Sequence, residues 1–410
     1  MKKYLLIACL FITHSVHSQL SWIKKADFPG NGKTGVSSFS INNKGYMGLG
    51  LDSLSNGSTD WYEYDEISNS WTQMSSLPGI GRWTCTSFVI NGKGYIVCGA
   101  TNFSNVSETW EFDPIANSWI QKSHFPGIER QNAAGFSING KGYVGTGYNG
   151  GVSFDDFYEF DPVLNTWTQK SDFAGSERNT AAGFSVGGFG YIGMGCATNS
   201  LPNYNDLYEY DPIANSWTRK ADFPLPSLDA PTCCVSNTDA YVLCGYYYQY
   251  QDIEHNPMNL VYQYNPQNDN WRLLGTFPGL PRGYAGGFAL SNDIYIGGGG
   301  NNNFTINTST QISDFWKLAD GLTLRIGSVK NPVLSILPNP AQDFINIECD
   351  SRIKQLSFAR VYNSSGTLIK LYELGSQTKL DISRLKNGFY FIEVVTKDGE
   401  IIDGNFLKVK

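Results

Sequence analysis

Charge is scarce in this chain. Only 16% of its 410 residues are Asp, Glu, Lys or Arg, against a usual share of about 25%. Aromatics reach 14%, and low charge with many aromatics excludes a disordered chain. Proline is held to 17 residues while glycine rises to 44, a balance that excludes a helical bundle or coiled coil. Cysteine is too sparse, at 8 residues, for a disulfide-built scaffold in a chain of this length. Of the four histidines, only His124 and His255 lie beyond residue 18. Lysine and arginine are few where they would matter for nucleic acid. Residues 19–320 hold 16 of them against 28 acidic residues, a balance of −12 within a net −7. That acidity excludes phosphate-backbone binding, which rests on cation neutralisation. Residues 321–410 carry +3 and the first 18 carry +2.

No segment reaches the roughly 18 apolar residues of a membrane helix, so no transmembrane segment is expected. The N-terminus reads as a secretory signal over residues 1–18. Lys2 and Lys3 lead an apolar run from Tyr4 to Thr13, and Val16-His17-Ser18 precedes Gln19 as a cleavage site. Leu6-Ile7-Ala8-Cys9 has the form of a lipoprotein box, but the apolar run continues past Cys9, and simple cleavage is the reading adopted. Cleavage leaves seven cysteines, an odd number.

What the sequence has in abundance is self-similarity. Trp stands at 22, 71, 119, 167, 217 and 271, and a Tyr follows each 24 residues later, at 46, 95, 143, 191, 241 and 295. A third aromatic, at 62, 110, 158, 208 and 262, precedes the next Trp by 9 residues, and Trp316 fills the sixth slot. One unit shows the plan. Residues 134–138 form a strand, Asn139-Gly140-Lys141-Gly142 turns it, and 143–147 return. A loop leads to a third strand at 156–160, and Asp161-Pro162 turns the chain toward a fourth around Trp167. Each unit is thus a four-stranded antiparallel sheet, the size of a propeller blade. Such sheets bury their faces only by stacking. The chain opens on a lone fourth-strand segment, Ser21-Trp22-Ile23-Lys24, and its sixth unit stops after a third strand at 314–318. The spacing predicts an all-β, six-bladed propeller over 19–320, closed by that first segment. The Gly-rich second-strand ends and the Asp-Pro…Asn-x-Trp turns resemble kelch repeats, a family whose propellers include both binding modules and enzymes.

After a linker at 321–332, residues 333–410 carry Leu337-Pro338-Asn339-Pro340-Ala341, Val361-Tyr362-Asn363-Ser364-Ser365-Gly366, Leu380-Asp381-Ile382-Ser383-Arg384-Leu385, Gly388-Phe389-Tyr390-Phe391 and a terminal Lys408-Val409-Lys410. This order is similar to the type A C-terminal sorting domain of the type IX secretion system of Bacteroidetes. The resemblance implies a small Ig-like β-sandwich and a partnership with that secretion machinery. It also implies export to the outer cell surface or medium, with removal of the tail.

Loop length points to one face. The interval from the repeat Tyr to the third-strand aromatic alone varies: 16, 15, 15, 17, 21 and 21 residues. Variable loops on a rigid ring are where binding concentrates. The longest span Tyr246-Tyr247-Tyr248-Gln249-Tyr250 with 252–259, and Asn301-Asn302-Asn303-Phe304 through Ser313. These are groups that stack on sugar rings and hydrogen-bond hydroxyls. On the same face, 13 residues before each repeat Tyr, stand Lys33, Arg82, Arg130, Arg178, Leu228 and Arg282. Five cations at one slot predict a ring at the mouth of the central channel, able to hold a carboxylate or phosphate. They pair equally well with backbone or neighbouring blades in a purely structural reading. Glu129 and Glu177 precede two of them.

Two motifs carry no chemistry. Gly183-Phe184-Ser185-Val186-Gly187 has the hydrolase pattern but occupies a first-strand slot rather than a strand-to-helix elbow. Gly145 to Gly150 has a dinucleotide spacing but closes a second strand. His124 fills a slot that holds Asp27, Asp172 and Asp222 elsewhere, a structural polar position. No metal or cofactor is expected. Cys233 and Cys244 are expected to face each other across the turn at 237–240, as a disulfide or as two buried thiols. Two functions remain open, beside a third reading as a purely structural surface protein. One is a surface binding module for a glycan or protein. The other follows from the resemblance of the scaffold to sialic-acid mutarotases: an enzyme in which Lys33, Arg82, Arg130, Arg178 and Arg282 grip the carboxylate of an acidic sugar and Glu129 or Glu177 serves as acid/base.

Overall fold

The computed structural model describes residues 20–319 apart from 199–202, 237, 248–255 and 304–307, and most of 334–409. The expected signal at 1–18 and linker at 321–332 lie outside the described residues. Residues 20–319 form six four-stranded antiparallel sheets among the described residues. In the third, Ala134–Ile138, Lys141–Gly145, Phe157–Asp161 and Thr166–Gln169 follow one another from inside to outside. The others repeat this order. The sixth takes Gly286–Leu290, Asp293–Gly297 and Phe315–Ala319 from one end of the repeat and Ser21–Lys24 from the other, with Trp22 opposite Leu318.

Alternation explains why the sheets cannot stand alone. Every inner strand alternates fully buried and half-buried residues, as in Phe136 and Ile138 against Gly135 and Ser137. The buried set packs on the next sheet, where Gly142 and Gly190 leave room for the edges of Phe88 and Phe136. A Cβ on either would come within about 2.3 Å of that ring, so these positions exclude any side chain. The half-buried set is small (Ser38, Ser87, Gly135, Gly183, Cys233, Gly287) and lines a narrow axial cavity of about 200 Å³.

Each repeat Trp clasps its sheet to the one before. The indole N–H of Trp71 donates to the Ala26 carbonyl at 3.0 Å, Trp119 to Ser75 at 2.8 Å and Trp167 to Ser123 at 2.9 Å. Trp217 and Trp271 reach Ser171 and Ala221 in the same way, and Trp22 reaches Thr276 of the fifth sheet at 3.0 Å. The Asn two residues before the Trp takes a positive φ, as at Asn117 and Asn165. Its side-chain oxygen accepts from the same linking segments, at the Ser75 and Ser123 amides. The Asn-x-Trp signature is therefore an inter-sheet clasp.

The tail is a separate pair of sheets. Leu334–Leu337, Phe344–Cys349 and Lys379–Asp381 form one, and Leu356–Asn363, Leu368–Glu373, Gly388–Thr396 and Ile401–Lys408 the other. They enclose their own core around Ile345, Ile347, Val361, Ile392 and Phe406.

One expectation fails on register. The fifth-sheet hairpin pairs Ser236 with Asp239, a two-residue turn, so Cys233 faces Val242 rather than Cys244. Both are free thiols. Cys233 borders the axial cavity and Cys244 lies in the core between sheets.

The clasp makes a checkable stability statement. Trp167→Phe keeps the edge contacts with Phe125 and Phe160 but loses the bond to Ser123, and should cost about 1 kcal/mol. Trp167→Ala should cost about 3 kcal/mol. Urea unfolding midpoints of the two variants measure both.

Candidate functional site

Three consecutive residues before each inner strand build the mouth of the axial cavity. The third adopts a left-handed backbone: Gly35, Thr84, Asn132, Thr180, Ala230 and Tyr284 have φ between 46° and 66°. Such angles are uncommon outside glycine and strained for a β-branched residue. They turn each amide toward the carbonyl of the equivalent residue next door. Gly35 donates to Tyr284, Tyr284 to Ala230, Ala230 to Thr180, Thr180 to Asn132, Asn132 to Thr84 and Thr84 to Gly35, at 2.8–3.1 Å. This cycle encircles the mouth. The middle residue of each trio (Thr34, Trp83, Gln131, Asn179, Asp229, Gly283) bridges to the chain just beyond the second strand of its own sheet.

The first residue of each trio is the cation slot. Lys33, Arg82, Arg130, Arg178 and Arg282 are all buried, none more than 3% exposed. Each cation meets the carboxylate that opens the third strand of its own sheet. Lys33 Nζ reaches Asp60 at 2.9 Å and Ser58 Oγ at 2.7 Å. Arg82 donates to Glu108 at 2.5 Å. The guanidinium forks of Arg130, Arg178 and Arg282 grip both oxygens of Asp156, Asp206 and Asp314, with Nη2 bonds of 2.8, 3.0 and 3.0 Å. Nε and Nη1 of the same groups donate to carbonyls at Ile128 and Thr146, Ser176 and Met194, and Leu280 and Gly298. Phe125, Phe173 and Phe277 lie 4.7–4.8 Å beneath them. A planar fork with nearly every donor used is a structural clamp. The cations are thus held under the mouth rather than free at its rim. Glu129 and Glu177 are exposed and sit in different sheet-linking segments.

The sixth slot explains the other five. Leu228 is buried where the cation would be, and Leu260 stands where the carboxylate would be, its carbonyl accepting from Cys244 as that of Asp206 does from Met194. Both leucines pack into one buried cluster with Phe223 and Tyr262. Cation and acid are lost together, as expected if each is there for the other.

In that same fifth sheet an acid appears one residue on. Asp229 is buried, and its Oδ1 has no hydrogen-bond partner. Burial pushes its carboxyl up to about 7, opposed only by a contact with the Cys196 thiol. Cys196 in turn lies 3.4 Å from Thr180 Oγ1 and 3.8 Å from Asn179 Oδ1. Register would have found this residue. Asp229 is the only acid in its slot, but the cations one position earlier drew the eye. Of the loop residues singled out from sequence, Tyr246 is buried and donates to Gly300 at 2.7 Å, while 248–255 and 304–307 lie outside the described residues. Neighbouring loops are laced by Asn102 to Ser55 and Asn105 to Asn149, and Leu54 and Phe103 stand exposed beside them.

Ser185 lies inside strand Ala182–Val186, and Gly147 leads into the short strand Tyr148–Asn149, so neither motif has its chemical setting. His124 is exposed and near Gln121, as Asp172 is near Gln169 and Asp222 near Arg219. No group of three metal-ligating residues occurs among the described residues.

Comparison with known proteins separates the two parts. Residues 335–404 match the family described as the secretion system C-terminal sorting domain. The chain carries a type IX C-terminal sorting domain. That tail indicates export through the type IX machinery, and no described helix is long and apolar enough to cross a membrane. No curated protein matches the sequence. Among solved structures, 535 chains resemble it, so the scaffold is widespread and says little of chemistry. One is the structure of YjhT, with a TM-score of 0.61 and 18% identity over 71% of this chain and 96% of that one. The likeness places the fold among β-propellers.

Two outcomes follow for stability. Arg178→Leu leaves Asp206 without its cation and should cost about 3–5 kcal/mol, whereas Arg178→Leu with Asp206→Leu, the pair found at Leu228 and Leu260, should recover most of that loss. Urea titration of the single and double variants tests this. Asp229 works in the opposite sense to a paired carboxylate. Its folded form holds a proton that the unfolded chain releases near pH 4, so its contribution is greatest below that pH and is lost as pH rises through about 7. Asp229→Asn should flatten the fall in stability between pH 5 and 8, measured as urea midpoints at each pH.

Proposed function

We propose that residues 19–320 form a six-bladed kelch-type propeller that acts, after export, as a glycan-binding module at the cell surface. The closed cycle of amide bonds and the Ser21–Lys24 strand in the sixth sheet support the six-fold ring. The observation that carries the binding reading is the use of all five slot cations inside the blades. Around the mouth and its loops stand Trp83, Gln131, Tyr148, Tyr284 and the exposed Phe103, beside the acids Asp52, Glu129 and Glu177. Such a face suits hydroxyl-rich, neutral ligands, with aromatic planes for sugar rings and amides for hydroxyls.

The pairing weighs against a mutarotase-like enzyme for acidic sugars. Its carboxylate would have to displace Asp156 or Asp206 from a bidentate, buried fork, and Glu129 and Glu177 are exposed in two different linking segments. A glycan array probed with the full chain distinguishes the readings. Neutral glycans should bind, and Phe103→Ala should weaken them several-fold without changing the melting temperature. Binding confined to sialic or uronic acids, and lost in Arg130→Ala while the fold persists, would overturn the proposal.

A further inference from the structure

The face opposite the mouth carries a pattern that the ligand reading does not use. It lies where each third strand turns into the fourth. Ile67, Ile115, Val163 and Ile213 occupy one slot of this turn in four consecutive sheets and stand 85–95% exposed, with Leu164 beside Val163 at 69%. Singly exposed apolar residues are ordinary. A β-branched residue at the same slot of four neighbouring sheets, all on one face, is not scatter. The turn itself does not ask for it. The fifth sheet makes its turn with the exposed Gln267, where Asn265 accepts from the Asn268 amide. The sixth has no such turn, since its third and fourth strands come from opposite ends of the repeat.

The four points are held firmly. Asp65 Oδ1 accepts from the Ile67 amide at 2.7 Å, and Asp113, Asp161 and Asp211 accept from those of Ile115, Val163 and Ile213 at 2.8 Å. The same oxygens take the next amide along, at 3.1–3.3 Å. With the backbone fixed and χ1 restricted by branching, each point meets a partner with little entropy to lose. The lysines beside these turns are already neutralised, Lys44 by Asp65, Lys93 by Asp113 and Lys141 by Asp161. In the fourth sheet the exposed Phe189 takes the lysine's place. The arc is apolar at its points and offers no unpaired lysine at these slots to an anionic surface.

Two further features choose the occupant. The points are separate, each set among polar turn residues, whereas the centre of a protein interface is a contiguous apolar patch. A fluid apolar layer accepts separate points one by one. The chain also continues to its tail from this face. Ala319 stands in the slot of Asp65, Asp113, Asp161 and Asp211, opposite Ser21, and the residues beyond it lead to the sorting domain at 335–404. The mouth lies at the other end of the same sheets. We infer that Ile67, Ile115, Val163 with Leu164, and Ile213 form a docking crown for a lipid surface, inserting as separate aliphatic points into a zwitterionic bilayer and leaving the mouth turned outward. This is independent of the ligand at the mouth.

Cosedimentation of the full chain with phosphatidylcholine vesicles tests it. Binding should persist in high salt, since it draws on apolar area rather than charge. Ile67→Ser, Ile115→Ser and Ile213→Ser should each weaken it about fivefold and the triple variant about a hundredfold, with melting temperatures unchanged. Gln267→Ile extends the arc to a fifth sheet and should tighten binding about fivefold, a gain that neither misfolding nor binding through the tail produces. Absence of vesicle binding by the unaltered chain, or binding that the triple variant keeps, would overturn the inference. Binding that needs phosphatidylglycerol and disappears in high salt would do the same. A dimer in sedimentation equilibrium that the triple variant loses, without vesicle binding, would overturn it by assigning the crown to a second copy of the chain.

Discussion

A guanidinium removed from water must be handed an anion, and this one constraint organises the propeller. In each of the five paired sheets the segment entering the ring carries a cation, and the start of the third strand carries the acid that meets it. The pair ties the innermost segment to the edge of the two–three loop. From there the cation's own carbonyl accepts from the sheet before, as Arg130 does from Gly99 at 2.9 Å and Arg178 from Gly147 at 2.8 Å. The clamp holds each sheet in shape and joins it to its neighbour. Replacing such a buried pair with apolar groups is often tolerated, whereas breaking it is not. Leu228 with Leu260 shows the tolerated replacement already present within the chain.

The clamp also sets what chemistry is left for a ligand. With the cations locked below the mouth, the face above presents amides, hydroxyls and aromatic rings. The left-handed ring of Gly35, Thr84, Asn132, Thr180, Ala230 and Tyr284 gives that face a rigid floor, because each amide is held by its neighbour. Only the fifth sheet departs from the pattern, and there the acid sits inward at Asp229 rather than outward at 260. The tail is chemically independent of all this. It has its own core and matches a sorting family, so it speaks to export and not to the ligand.

Much of this architecture was legible in the sequence. A fixed 24-residue interval from Trp to Tyr specifies strands and turns to within a residue, and the orphan strand at Ser21–Lys24 predicted its partner correctly. Tight turns were legible because Asn and Gly at positive φ are their physical requirement. Direction of side chains was not. Spacing placed Arg130 and Arg178 at the mouth, but whether a long side chain points outward or folds under depends on the carboxylate 26 or 28 residues later. That acid was in plain view at Asp156 and Asp206, yet its partnership is a matter of three dimensions. The Cys233 expectation failed for a smaller reason. Treating the turn as four residues rather than two shifts the register, and a shift of that kind changes every cross-strand partner. Asp229 was hidden by its own singularity, since a repeat directs attention to what recurs.

The central claim is that the slot arginines are structural and closed to ligands. Side-chain NMR of the full chain tests it directly, through hydrogen exchange at Arg Nε with and without saturating sialic or glucuronic acid. Arg82, Arg130, Arg178 and Arg282 should exchange far more slowly than the exposed Arg219 and should not shift on adding either acid. Fast exchange at these four, or a saturable shift confined to them, would contradict the account.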